Sequence, residues 1–188
     1  MRFVVRVVSS LARKEAARAS ADPDPLGNYE PDLFVCDASP SHYVLLNKFN
    51  ALPHHLLIVT RHFEPQEAAL TGADFEALAR CLCGFGDLAF YNCGTDAGAS
   101  QPRKHLQLVP MPQIPIEPFL DSGSELPFRH AFVRICAMTD LYERYRELLA
   151  ACGTAPYNLL VTRRWMLLVP RHAYARRNRY NASASSGR

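Results

Sequence analysis

The run Gly98-Ala99-Ser100-Gln101-Pro102-Arg103-Lys104-His105-Leu106-Gln107-Leu108-Val109-Pro110 holds the residues of this chain best suited to chemistry. Polar and apolar residues alternate through its second half, the period-two pattern of a half-buried strand. On that reading Arg103, His105 and Gln107 share one open face, while Leu106 and Leu108 point into a core. A guanidinium, an imidazole and a carboxamide lined up in this way suit an anion. Imidazole can also act as a covalent nucleophile. Arg103 only donates and can hold a phosphate through two parallel bonds. Ser100 and Gln101 lie where the chain turns into the strand, offering hydroxyl, amide and backbone N–H groups.

The elements that position this strand follow from periodicity. Residues 33–36, 43–46, 56–60 and 88–92 read as strands. Thr71 with Asp74 resembles a capping box, and Phe75, Leu78, Leu82 and Phe85 continue it at helical spacing until Gly84 and Gly86. Residues 93–99 form a loop that delivers the chain to Ser100. Pro110, Pro112, Pro115 and Pro118 forbid regular ladder pairing, so 110–127 is expected to wander over the surface. A helix is expected over 139–152, closed by Gly153, with Leu141, Tyr145, Leu148 and Leu149 on one side. Residues 159–161 and 166–169 form a hairpin-like pair around Arg163 and Arg164. The first fifteen residues read as an amphipathic helix, and 19–26 as a loop. Strands arriving mostly as hairpins, with two or three helices between, argue an α+β fold with a largely antiparallel sheet and flanking helices.

A chain of 188 residues with 48% hydrophobic content can bury one real core. The net charge of +3 is lopsided: from Arg163 onward there are seven Arg and no acid, which leaves 14 basic against 18 acidic groups before it. The globular part therefore lacks the basic balance of a nucleic-acid binder. Six Cys in apolar contexts without paired spacing read as reduced, buried thiols. Cys81 and Cys83 sit inside a helical pattern and read as core, so no metal ligands are assigned. No apolar run approaches the roughly 20 residues of a membrane span, and the first residues lack the unbroken apolar stretch of a secretory signal.

The run from Gly98 resembles the active-site strand of the diadenosine tetraphosphate phosphorylases, or ATP adenylyltransferases, of the histidine-triad superfamily. That family's pattern is Gly-Ala-Ser-Gln-x-His-Lys-His-Leu-Gln. This chain matches at Gly98 to Gln101 and at Lys104 to Gln107, but has Arg103 where the pattern has its first His. Further stretches are similar in order: Leu45 to Asn50, Pro53 to Arg61, Ala89 to Asn92, Leu126 to His130, Pro156 to Thr162 and Arg164 to Arg171. Residues 1–171 are thus expected to form one histidine-triad-like nucleotidyltransferase domain. Family sequence would continue at both ends, so the domain is expected to be truncated. Residues 172–188 are basic and then low in complexity, a tail expected to be disordered.

The resemblance implies that His105 attacks the α-phosphorus of diadenosine tetraphosphate, forms an adenylyl-histidine and expels ATP. Inorganic phosphate then takes the adenylyl group and leaves as ADP. Gln107 would donate to the adenylyl phosphate. Asn92 stands eleven residues before Arg103, the interval at which related proteins carry a phosphate-contacting Asn. Asn47, Lys48 and Asn50 follow an apolar strand: they are either its solvated end or, with Lys48 as a mobile point charge, contacts for sugar and polyphosphate. His55, in a Pro-x-His, is expected to be structural. Expected substrate-binding residues are therefore Asn47, Lys48, Asn92, Ser100, Gln101 and Arg103. No tightly bound cofactor is expected, only a divalent cation arriving with the nucleotide.

Expected partners are diadenosine tetraphosphate, ATP, ADP and phosphate, with no nucleic acid and no membrane, in the cytoplasm. Arg103 cannot accept a hydrogen bond, so it cannot fix the nucleophile's tautomer as the family's His does. Two alternatives follow: a catalytically weak nucleotide-binding protein, or a dinucleoside polyphosphate hydrolase of the same superfamily.

Overall fold

The computed structural model describes residues 22–171 except 51, 124 and 154–155. The expected N-terminal helix and the tail lie outside these residues. The described strands are β1 (Phe34–Ser39), β2 (His42–Leu46), β3 (Leu56–Thr60), β4 (Leu88–Asn92), β5 (His105–Val109), β6 (Ala131–Arg134), β7 (Tyr157–Val161) and β8 (Trp165–Pro170). They form one sheet in the order β1-β2-β3-β5-β4-β7-β8-β6, with every neighbouring pair antiparallel. The helices are α1 (Gly72–Gly84), α2 (Glu117–Asp121) and α3 (Leu141–Cys152). The architecture is α+β, as the sequence pattern implies.

Alternation explains the two faces. Val44, Ile58, Leu106, Leu108, Leu159, Val161 and Met166 point to one side and are covered by Phe75, Leu78 and Leu82 of α1 and by Leu141, Tyr145 and Leu148 of α3. The alternate residues Tyr43, Leu45, Leu57 and Val59 face the other side, with Leu26 packed on them. Each buried Leu or Phe is worth about 1.5–3 kcal/mol by removal from water. The face under α1 and α3 therefore pins β5, and on the opposite face only a stretch of the sheet is left open as a cleft.

α1 begins with a capping box: Thr71 Oγ1 accepts from Asp74 N–H, and the Asp74 carboxylate accepts from Thr71 N–H at 2.6 Å. Asp74 does more than cap. It reaches His42 Nε2 at 2.9 Å and the fully buried Lys104 Nζ at 3.0 Å, and Lys104 also meets Glu64 at 2.5 Å. Burial alone would push the Asp74 carboxyl up. The His42 hydrogen bond, the Thr71 N–H and Lys104 outweigh it and hold the group at about 2. Removing one partner of such a buried pair costs about 3–5 kcal/mol, so Lys104 ties β5 to the start of α1.

Three expectations need correction. The strand begins at His105, and Arg103 joins only an isolated bridge to Pro65. Segment 110–127 does not wander: Ile114, Leu120 and Leu126 bury against Leu88, Trp165 and Leu167, giving it a core of its own. Of the six thiols, Cys81, Cys93 and Cys152 are buried, but Cys83 and Cys136 are exposed. The edge strand β6, with its half-buried side chains, has too weak an alternation to be read from sequence.

Candidate active site

On the face opposite α1 and α3, a cleft of about 690 Å³ opens over β2, β3, β5 and β4. Ligand pockets typically fall between roughly 300 and 1,000 Å³. Its floor is a cross-strand row set by register: Leu45 pairs with Leu57, Leu57 with Gln107, and Gln107 with Phe90. The wall is the segment before β1, including Asp22, Pro25, Leu26 and Tyr29. Asn47 and Lys48 form one lip, and Asn92, Ser100, Gln101 and His105 the other end. Seven of the eight expected site residues thus meet in one cleft.

Arg103 is the exception. Its Nε donates to Asp24 Oδ1 at 2.8 Å and its Nη2 to Asp24 Oδ2, a fork-on-carboxylate pair. Nη1 donates to the carbonyl oxygens of Thr60 at 2.9 Å and Arg61 at 3.2 Å, and the guanidinium lies over the Phe63 ring. This pairing raises the Arg103 pKa and lowers that of Asp24. The side chain is buried and does not line the cleft. Its cationic fork holds the cleft wall in place of a phosphate, because the chain leaves the strand geometry before residue 105.

The His105 ring is 5% exposed, and its Nδ1 lies 2.8 Å from the Arg103 carbonyl oxygen. A carbonyl only accepts, so Nδ1 carries the proton and Nε2 of the neutral ring carries the lone pair. The tautomer is therefore set by the backbone at position 103, whatever side chain stands there. This removes the sequence-based objection to Arg103.

Two amides beside it are oriented by the same logic. Asn47 Oδ1 accepts from Phe49 N–H, so its NH2 donates to His55 Nδ1 at 3.2 Å. His55 Nε2–H then donates to Gln107 Oε1 at 3.1 Å. Asn158 Nδ2 donates to Asn92 Oδ1 at 2.8 Å and to the Ala97 carbonyl at 2.7 Å. Both carboxamide oxygens are engaged as acceptors, so Gln107 and Asn92 present their NH2 groups as donors. His55, read as a structural residue, directly holds the Gln107 amide. Lys48 bridges to Glu30 across the cleft mouth at 2.6 Å, with both side chains exposed.

Asp24, Gln66 and Asn158 had no signal in the local pattern, since each acts across long sequence separation. Arg163 and Arg164, in the turn between β7 and β8, meet Asp87 and Glu117. Among the described residues no cluster of three or more His, Cys, Asp or Glu could hold a metal ion, and no helix is long and apolar enough to cross a membrane.

The profile of the Ap4A phosphorylase N-terminal domain matches residues 1–122, and that of the ATP adenylyltransferase C-terminal domain matches residues 124–187. The second match runs past Arg171. Diadenosine 5',5'''-P1,P4-tetraphosphate phosphorylase 2 of Saccharomyces cerevisiae is 31% identical, covering 90% of this chain and 68% of its own length. Protein APA1 of the same yeast is 28% identical, with 91% and 68% covered. Among solved structures, yeast Ap4A phosphorylase Apa2 in complex with Ap4A superposes with a TM-score of 0.68 at 31% identity, covering 82% of this chain and 66% of that one. Apa2 in complex with AMP gives 0.69 at 30%, covering 78% and 63%. The chain spans about two thirds of the length of these relatives.

Proposed function

This chain belongs to the Ap4A phosphorylase and ATP adenylyltransferase family, and from that premise we propose that it splits diadenosine tetraphosphate with inorganic phosphate into ATP and ADP. The observation that carries the proposal is the His105 Nδ1–H bond to the Arg103 carbonyl, which leaves Nε2 as the nucleophilic atom at the cleft.

In the first step Nε2 forms a bond to the α-phosphorus as the bond to the bridging oxygen breaks and ATP departs. The ring becomes a cation that keeps its Nδ1 proton. The bond to the Arg103 carbonyl then becomes charge-assisted, so it strengthens in the transition state rather than the ground state. The Gln107 and Asn92 NH2 groups donate to the phosphoryl oxygens as charge builds there, the preorganised stabilisation that is usually the largest catalytic term. Gln107 has no acidic proton to give. The leaving ATP is a stable polyphosphate anion and does not need one. In the second step a phosphate oxygen attacks the same phosphorus, the N–P bond breaks, and ADP leaves with the neutral ring restored.

Ser100 and Gln101 bind the substrate at the Asn92 end, and Asn47 and Lys48 at the opposite lip, where a divalent cation carried by the polyphosphate reduces its charge. A second concavity of about 850 Å³ shares Phe90 and Asn92 with the cleft and runs on to Leu160 and Val169, giving the far nucleoside of a dinucleotide a path. The free thiols among the described residues support a reducing, cytoplasmic setting. The test is product analysis: ATP plus ADP formed only when phosphate is supplied supports phosphorolysis, and AMP released without phosphate identifies a hydrolase.

A further inference from the structure

We propose that Gln66 is a positioning residue for the adenylyl transfer, its side-chain amide serving as one rung of the sheet between the nucleophile's strand and the strand of Asn92. The inference rests on the proposed function for its catalytic consequence and on the hydrogen bonds alone for its structural part.

β4 and β5 pair at Leu88–Val109, Ala89–Leu108 and Phe90–Gln107, and there the ladder stops. Continuing the register would put Tyr91 opposite Leu106 and Asn92 opposite His105. Instead the chain after β3 wedges between the strands: Lys104 N–H donates to the Glu64 carbonyl at 2.7 Å, and Gln66 N–H to the Pro102 carbonyl at 2.8 Å. The Gln66 side chain then takes over the missing rung. His105 N–H donates to Gln66 Oε1 at 2.9 Å, and Gln66 Nε2 donates to the carbonyl oxygens of Asn92 at 2.9 Å and His105 at 3.2 Å.

Only a primary amide supplies two donors and an acceptor in one planar group of this size. The amide is itself anchored, because Gln66 is 1% exposed and the Tyr91 hydroxyl donates to the Gln66 carbonyl. The insertion spaces His105 from Asn92 by one amide group, where a normal hydrogen-bonded antiparallel pair would bring their Cα atoms to about 5.5 Å. Nucleophile and phosphate donor are thereby held apart at a fixed distance, with the cleft end between them.

The experiment uses the full chain and two near-isosteric variants, Gln66→Met and Gln66→Glu. Three quantities are read: the thermal midpoint, the AMP dissociation constant, and the single-turnover rate of labelled adenylyl transfer to His105. Misplacing a reacting group by about 1 Å can cost on the order of 10²-fold. Folded Gln66→Met is therefore expected to lose about 100-fold in transfer rate with AMP affinity changed by less than about 5-fold.

Gln66→Glu is expected to regain rate relative to wild type as pH falls from 8 to 6, because a protonated carboxyl again donates to one carbonyl and accepts from His105 N–H. The titratable and charged groups around position 66 are Tyr91 from β4, Cys93 just after that strand, His105 from β5, Lys104 with Glu64, and Glu67. Burial raises Tyr91 and Cys93, and the lowering effect of burial on Lys104 is outweighed by Glu64 and Asp74, so these stay protonated in that range. Normalising to wild type removes any pH dependence common to the two proteins.

A transfer rate within 3-fold of wild type at pH 8 in either folded variant overturns the proposal, as does a loss matched by an equal loss of AMP affinity. If neither variant folds, the wild-type Gln66 side-chain NH2 decides. Protection from exchange with a resonance shift on AMP binding supports the rung, and free exchange with no shift overturns it. Absence of any adduct in wild type would sink the proposed function while leaving this last measurement decisive for Gln66.

Discussion

Replacing Arg103 with Met separates the two roles this residue could play. Its guanidinium makes the forked pair with Asp24 and two bonds to backbone carbonyls, none of them to the cleft. Breaking a buried pair by removing one partner costs about 3–5 kcal/mol. The Asp24 side chain is 22% exposed and can recover water, so a loss of about 2–3 kcal/mol is expected. For a chain of this size that lowers the thermal midpoint by roughly 5–10 °C. The wall from Asp22 to Tyr29 loosens, which raises KM for the dinucleotide. The Arg103 carbonyl and its bond to His105 Nδ1 persist, so kcat should stay within a few-fold. Asp24→Asn should reproduce the effect, and the double variant should be no worse than the sum of the singles. Steady-state kinetics at several substrate concentrations, with thermal melts, read all three. A 100-fold fall in kcat with stability and KM intact would refute the reasoning and place the guanidinium on the reacting groups.

His55→Phe keeps the ring packing on Phe90 but removes the bond that orients the Gln107 amide, so kcat should fall about 10-fold, equivalent to about 1.4 kcal/mol, with AMP affinity nearly unchanged by calorimetry. Asp74 sits at about 2 in the fold against 3.8 ordinarily; a depressed carboxyl contributes stability above its unfolded value that is lost as pH falls through the folded one, so acid titration should remove about 2 kcal/mol between pH 4 and 2, and Asp74→Asn should flatten that window in denaturant melts. Gly27→Ala should destabilise and mimic Arg103→Met in KM, because a Cβ there would lie 2.3 Å from Asp24 Oδ2 and 2.5 Å from Arg103 Nη2; an unchanged KM would show that the wall does not depend on this pair.

Where residues act through local pattern, the sequence was readable. The alternation placed His105 and Gln107 on one face of β5, and the Thr71–Asp74 capping box marked the start of α1. Carrying the alternation back to Arg103 failed because strand geometry ends at 105, and a side chain one bridge earlier is aimed at another partner. Gln66, Asn158 and Asp24 were invisible for a different reason. Each works through one side chain meeting a backbone N–H, a carboxamide oxygen or a guanidinium 39, 66 or 79 positions away, and nothing in the neighbouring sequence encodes that distance. The buried His42–Asp74–Lys104 chain escaped likewise: a Lys in a strand pattern reads as solvated until its two acids are seen folded over it. In 110–127 the prolines suppress any period, although Ile114, Leu120 and Leu126 are core.

The central claim is that His105 Nε2 becomes covalently adenylylated, and it is tested most directly by trapping that adduct. Incubation with diadenosine tetraphosphate labelled in the adenylyl group, without phosphate, followed by alkaline quench and peptide mapping should place an acid-labile label on His105. Adding phosphate should discharge the label as ADP, and His105→Ala should abolish it while His54→Ala does not. Label on another residue, or ATP and ADP formed with undiminished rate by His105→Ala, would contradict the account.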